Sequence, residues 1–217
     1  PSAGGCGFAA TNPAPALVLS PATVSPNPTQ GGSQSFTATF TNVTAPGLWC
    51  YSEAMKLLTP LIGKDLEVVD DLAVYDDDTD SFSEVLFDGV SFIGFTPKNL
   101  AVVGSRFVKA DFSNVQLEGL GLENVVANDC MMLTANFGEA SWHTTEIINS
   151  RCSGVQLHSA TLKNVTFRGC KLDMANFRQA KLTNVVFDGC VVTDMDFGSA
   201  ELKNVEFIDC DIDGIDF

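Results

Sequence analysis

The sequence predicts an all-β fold, a coil of square cross-section wound from short extended segments, preceded by an extended arm and a short capping helix. A nine-residue phrase returns every twenty residues, as LKNVTFRGC (162–170), LTNVVFDGC (182–190) and LKNVEFIDC (202–210). Within it, large apolar residues recur every five residues, a period that fits neither an α-helix nor an alternating strand. Four sides of five residues close one coil, which accounts for the twenty-residue echo.

Each five-residue unit, aligned on Phe167, has a large central residue and a small residue two positions earlier. Of the 27 central positions from Phe87 to Phe217, eleven are Phe and seven are Leu, and Pro97 is the exception to the apolar rule. Of the 27 small positions, 19 are Ala, Val or Cys. The remaining positions are mostly polar, so each side directs two residues inward and three outward. A slip of one residue would bury Lys or Asp, and the register is therefore strongly specified.

The units ADFSN (110–114), ANFRQ (175–179), AKLTN (180–184) and AELKN (200–204) resemble the A(D/N)LXX unit of the pentapeptide-repeat family. The resemblance covers residues 85–217 in unbroken register. It implies a right-handed quadrilateral β-helix with four pentads per coil. About six and a half coils, at a strand spacing of roughly 4.8 Å, would give a rod on the order of 30 Å long.

The chain before the solenoid has a different character. Residues 1–47 are rich in Pro, Ser, Thr and Gly and predict an extended, semi-rigid arm. Within the arm, SFTATFTNV (35–43) alternates and could add one strand. Residues 48–84 are predicted to hold a short helix, at 48–63, and an acidic loop, and the helix would cover the open first coil. The apolar residues at helical spacing are Trp49, Met55, Leu57, Leu58 and Leu61.

Stacked coils bring equivalent residues into columns. We expect Phe167, Phe187 and Phe207 to form an aromatic ladder. A second ladder, interrupted by Ser150, comprises Cys130, Cys170, Cys190 and Cys210. A metal or redox site is one interpretation of the thiols, but Ala and Val fill the same slot elsewhere, which favours reduced, structural cysteines. The corner residues Asn124, Asn164, Asn184 and Asn204 are expected to bond to local backbone.

The sequence shows no constellation typical of catalysis or of a cofactor site. His143 and His158 fall on outward positions of different sides. DDDTDS (76–81) resembles the start of a calcium loop but lacks its glycine, and Phe87 stands where Glu is required, which favours an acidic loop. We expect no enzyme, no cofactor and no metal. The start of the chain lacks signal-peptide features, and no apolar run is long enough to span a membrane. Whether Cys6 and Cys50 form a disulfide is left undecided by the sequence.

Charge decides between two functions that the resemblance implies. The net charge is −15, which argues against direct binding of nucleic acid. Some members of the family mimic DNA and inhibit type II topoisomerases, and this needs acid along the whole rod. Here nine acids lie in 65–84 and nine in 188–217, whereas 85–187 holds eight acids and nine bases. The bases that would repel a DNA-binding surface are Lys163, Arg168, Lys171, Arg178 and Lys181.

We therefore expect a non-catalytic structural or protein-interaction module, a subunit or scaffold of a larger assembly, with topoisomerase inhibition as the alternative. Many members of the family occur in cyanobacteria and in the thylakoid lumen. The resemblance therefore implies a lumenal photosynthetic assembly as one setting, which the protein would reach after removal of a targeting segment. The predicted contacts are the arm and the uncapped C-terminal coil with Ile212, Ile215 and Phe217. Because each end brings nine acids, a different partner protein is favoured over a homodimer.

Overall fold

The computed structural model describes residues 35–40, 57–75 and 78–217, and these form a parallel β-solenoid. The rest of the predicted arm, the first half of the predicted helix (48–56), Cys6 and Cys50 lie outside the described residues. Within the described part of the chain, no helix is found, and hence none that could cross a membrane. The strands are β1 (Ser35–Phe40), β2 (Glu67–Val69), β3 (Ser81–Ser83), β4 (Val85–Asp88), β5 (Ala101–Val103), β6 (Arg106–Val108), β7 (Gly121–Asn128), β8 (Ser141–Ile148), β9 (Thr161–Arg168), β10 (Lys181–Asp188), β11 (Val191–Thr193) and β12 (Glu201–Asp213).

The coil repeats every twenty residues, as the echo predicts. In β9, β10 and β12, Phe167 pairs with Phe187 and Phe187 with Phe207, all in parallel. Isolated parallel bridges such as Ser91 to Asp111 continue the same step on the shorter sides. We number the four sides by their central residues. The first runs from Phe82 to Leu202, the second from Phe87 to Phe207, the third from Phe92 to Ile212 and the fourth from Pro97 to Phe217.

The central and small positions form the core. Every central residue from Phe87 to Phe197 is buried, including Pro97. In the last coil the expectation that all central residues lie inside is wrong. Leu202 and Ile212 are half-buried, and Phe217 is 38% exposed. The reason is that a residue in the last described coil has a coil on one side of it only.

The corners of the coil depend on left-handed backbone. Every residue two positions after a centre, from Glu84 to Gly214, has a positive φ, and only some of these residues are glycines. This conformation costs most L-residues free energy but is tolerated by Asn and Asp and is free for Gly. Gly, Asn and Asp together hold 18 of the 27 corners, a signal that was readable from the sequence.

The start of the solenoid is covered by a strand and a turn. The predicted helix does not extend through residues 57–63, which are not helical. Pro60 lacks a backbone N–H and disfavours helical geometry in the residue before it, so an α-helix cannot run through this segment. Instead β2 pairs with β4, and Val69 and Leu72 are buried beneath the first coil. These residues, rather than a helix over 57–63, cover the apolar edge there.

The alternation in SFTATFTNV produces a strand whose position the pattern did not reveal. β1 (Ser35–Phe40) pairs antiparallel with β12, with Phe36 opposite Cys210 and Phe40 opposite Val205. The expectation of a wholly uncapped last coil is therefore wrong on the second side. An exposed strand edge is a row of unpaired backbone groups, and β1 satisfies that row.

Candidate functional site

The aromatic column on the second side is built from the predicted residues. The rings of Phe167 and Phe187 stack with centroids 5.1 Å apart and planes 7° apart, and those of Phe187 and Phe207 with 4.7 Å and 10°. The column is interrupted at Ala127 and Ile147. There a small cavity of about 10 Å³ is bordered by Ala127 and by Trp142 of the first side. Among the described residues, the buried indole Nε1 of Trp142 has no hydrogen-bond partner.

The four ladder cysteines are buried and free. The thiols of Cys170, Cys190 and Cys210 each donate to the carbonyl of a central residue one coil earlier (Ile147, Phe167 and Phe187), all at 3.3 Å. Ser150, which interrupts the column, accepts from the backbone N–H of Cys130 at 3.0 Å. The hydroxyl and the thiols thus occupy equivalent positions in the column.

The ladder thiols are held in the protonated form. Burial raises the pKa of Cys130 to about 12. The pKa of Cys170 is raised to about 12 by hydrogen bonding to Cys152 and by burial. The pKa of Cys190 is likewise raised to about 12, by hydrogen bonding to Cys170 and by burial. The pKa of Cys210 is raised as well, through its hydrogen bond with Cys190 and burial. Since the thiolate is the nucleophile and the metal ligand, these thiols are poorly suited to either role at neutral pH. In the part of the chain that the structure describes, no group of three or more His, Cys, Asp or Glu is placed to hold a metal.

The corner asparagines have the predicted turn geometry but a different hydrogen-bonding role. Asn124, Asn164, Asn184 and Asn204 all have φ between 52° and 54°. Their side chains bond from coil to coil rather than to local backbone. The amide of Asn184 donates to Asn164 at 3.0 Å, and that of Asn204 donates to Asn184 at 2.9 Å. Asn124 instead accepts from the backbone N–H of Leu61 at 3.3 Å, so the segment after residue 57 lies along this corner.

The predicted partner-contact residues lie in the last coil. Phe217 stacks on Phe197, with ring centroids 5.7 Å apart, and remains partly exposed. Ile212 and Ile215 are half-buried against the core. All three lie on the third and fourth sides, whereas β1 pairs along the second and reaches only as far as Asp211 at the start of the third. The structure therefore leaves a partly exposed apolar cluster beside the strand-covered side.

Four of the nine bases in residues 85–187 are ion-paired. Arg168 bonds to Asp188 at 3.1 Å, Arg178 to Asp196 at 3.1 Å, Lys171 to Asp173 at 3.1 Å and Lys181 to Glu201 at 3.4 Å. Such exposed pairs contribute little stability. They do, however, neutralise four of the five bases that the sequence suggested would repel a DNA-binding surface.

Charge also differs between the sides. The counts cover the outward and corner positions of residues 81–217. The second side carries six acids and three bases, the third side five acids and two bases, and the fourth side four acids and two bases. The first side carries three acids and three bases. His143 lies on this first side and His158 on the fourth, as expected, so they do not meet.

A model of the "Pentapeptide repeat region" family matches residues 162–217. No curated protein matches the chain. Among solved structures, full-length QnrB1, a plasmid-mediated fluoroquinolone resistance protein, aligns at 21% identity over 55% of this chain and 47% of its own, with a TM-score of 0.30. The match thus spans about half the length of that protein. A second structure is HetL, a pentapeptide repeat protein involved in heterocyst differentiation regulation in the cyanobacterium Nostoc sp. strain PCC 7120. It aligns at 14% identity over 66% of this chain and 92% of its own, with a TM-score of 0.19.

Proposed function

We propose that the chain is a non-catalytic protein-interaction module, of the pentapeptide-repeat type whose family model matches residues 162–217, and that it serves as a subunit of a larger assembly. The observation that supports this most directly is the apolar cluster of Ile212, Ile215 and Phe217 on the third and fourth sides of the last coil. Apolar side chains and strand edges at the end of a sheet are common places for another chain to bind.

The second element of the proposed contact is the N-terminal arm. Its strand β1 lies on the same coil as the cluster, because it pairs with β12 through Cys210 and Val205. A partner that covers the cluster would therefore meet the arm as well. The acids of residues 188–217 favour a partner with basic groups around an apolar centre, since two copies of this end would repel each other at low ionic strength.

The test is affinity purification from the native source with three forms of the protein. The double variant Ile215→Ser with Phe217→Ser should lose the partner that the wild type retains. The matched control is Met174→Ser, which changes an apolar side chain exposed at a corner of the third side, 63% accessible. The identity of the partner would show whether the assembly is the lumenal photosynthetic one that the resemblance implies. Equal recovery of the same partner by all three forms would refute the proposed contact.

Inhibition of a type II topoisomerase by DNA mimicry is the second candidate. Two observations favour it, the net negative charge of three sides and the ion pairs that neutralise four of the nine middle bases. DNA mimicry still requires rows of acidic residues along the whole rod, and the first side has no such row. A gyrase supercoiling assay separates the candidates. If the protein is an interaction module of a larger assembly, supercoiling should be unchanged. Potent inhibition of supercoiling would establish topoisomerase inhibition instead.

A further inference from the structure

The first side of the later coils is the polar and relatively basic part of the solenoid surface. We define the lysine face as residues 141–144, 161–164, 181–184 and 201–204. Every outward or corner position in it is polar, and it carries three lysines, one histidine and one acid, Glu201. The opposite, third side differs, because Met131 and Val191 expose apolar groups there. This face is also separate from the apolar cluster of the last coil.

Two lysines of this face share one column and are available to a ligand. The pairing of the strands places His143, Lys163, Thr183 and Lys203 in successive coils. Both Lys163 and Lys203 are exposed, and neither forms an ion pair with a carboxylate among the described residues. The one acid of the face, Glu201, is already paired with Lys181. Two coil steps separate the two lysine backbones by about 9.6 Å.

The columns on either side offer hydrogen-bond donors. One begins with the hydroxyl groups of Ser141 and Thr161 and continues with Lys181 and Glu201, and the other is the asparagine ladder. In that ladder Asn184 and Asn204 each use one amide N–H to reach the preceding coil. An asparagine amide has two such hydrogens, so each residue has a second one to offer a ligand. A ligand lying along the lysine column would therefore meet donors on both sides.

We propose that the lysine face binds an acidic polyproline II segment of a partner protein, with carboxylates at every third residue and the segment parallel to the rod axis. A polyproline II helix has three residues per turn and rises about 3.1 Å per residue, so equivalent side chains recur every 9.3 Å or so. This matches the lysine spacing. An extended strand repeats its side chains at about 6.6 Å and does not match.

The flanking donors favour the same ligand. The carbonyls of a polyproline II segment have no internal hydrogen bonds and need outside donors, whereas an α-helix satisfies its own. Net charge restricts the ligand further. The other three sides are acidic, so a long polyanion such as a nucleic acid is repelled, while a narrow segment confined to one side lies closer to the lysines than to those acids.

The test measures anisotropy of a fluorescent peptide of repeated Pro-Pro-Glu triplets. Wild-type protein should bind it at low ionic strength and more weakly at physiological ionic strength. A variant carrying Lys163→Gln and Lys203→Gln should weaken binding about tenfold. The matched control carries Arg151→Gln and Lys171→Gln on the third side, where the two residues share one column in adjacent coils. It makes the same change in net charge and should stay within about twofold of wild type.

Two further peptides test the geometry. Pro-Pro-Gln triplets should not bind, and a Pro-Glu dipeptide repeat, which spaces the acids differently, should bind more weakly than Pro-Pro-Glu. The proposal is overturned if wild-type protein fails to bind Pro-Pro-Glu at low ionic strength. It is equally overturned if the control pair of substitutions weakens binding as much as the lysine pair, or if the dipeptide repeat binds as tightly.

Discussion

Phe187 stacks directly on Phe207, with ring centroids 4.7 Å apart and planes 10° apart. It stacks on Phe167 in the other direction and meets Phe177 and Phe197 of the fourth side edge-on, at 6.1 Å and 6.5 Å. Offset stacks and edge-on contacts are the arrangements that aromatic rings prefer. A single ring thus joins three coils and two sides.

Replacing Phe187 by Ala should lower the free energy of unfolding by about 3–5 kcal/mol, because it removes a fully buried ring and leaves a cavity. The control is Lys181→Ala in the same strand, which removes an exposed ion pair with Glu201 and should cost no more than about 1 kcal/mol. Urea denaturation of both variants measures this. A greater loss for Lys181→Ala would show that the register is wrong.

The corner at Asn184 should be sensitive to both backbone and side chain. Asn184→Ala forces an ordinary residue to keep φ near 54° and removes the amide ladder, so we expect a loss of about 2 kcal/mol. Asn184→Gly removes only the ladder and should cost about half as much.

Gly189→Ala is the control for the corner backbone alone. Its φ is 60°, and no atom lies within 4 Å of the added Cβ, so the expected loss of about 1 kcal/mol comes from the left-handed conformation. If alanine and glycine at position 184 were equally stable in thermal and urea unfolding, corner strain would not contribute.

The ladder thiols should make the fold sensitive to alkaline pH. The pKa of Cys190 is raised from 9.0 to about 12, so the folded state holds a proton that the unfolded chain releases above pH 9. Its stabilising contribution is full below pH 9 and is lost as the pH rises from 9 to 12. Between these values the unfolding free energy should fall more steeply in wild type than in Cys190→Ala, by up to about 1.4 kcal/mol per pH unit.

A second measurement checks the same thiols at neutral pH. Iodoacetamide should leave the ladder cysteines of the folded protein unmodified and alkylate them after unfolding, since the thiolate is the reactive form. Alanine is the suitable replacement, because Ala110 already fills an equivalent slot on the third side. Mass spectrometry that found a Cys170–Cys190 disulfide in native material would contradict the structural role.

Ala127 and Trp142 should be energetically coupled. Both border the same small cavity, and Trp142 takes part of the space that a large central residue would fill at 127. Alone, Ala127→Phe overpacks the core and Trp142→Leu enlarges the cavity, so each should destabilise by about 1–4 kcal/mol. Together they extend the Phe column and the neighbouring Leu column, and the double variant should unfold within about 1 kcal/mol of wild type. Additive losses in the double variant would show that the two sites do not share space.

The sequence by itself determined the solenoid, its five-residue register and the residues of its interior. This was possible because each coil contacts only the coils before and after it, so the pattern of large and small residues repeats with the structure. The buried central residues from Phe87 to Phe197 and the stacked rings of Phe167, Phe187 and Phe207 follow from that repeat. The same periodicity does not extend to the flanking segments, where the helix predicted at 48–63 does not run through residues 57–63.

Only the tertiary structure decided which groups meet across coils and at the two ends. The pairing of Arg168 with Asp188, the amide bonds between corner asparagines and the antiparallel docking of β1 on β12 are examples. The first two depend on side-chain rotamers on a surface where several partners are in reach, which a repeat of residue types leaves undetermined. The third joins residues more than 160 positions apart, and a strand pattern specifies that a segment pairs but not with which edge.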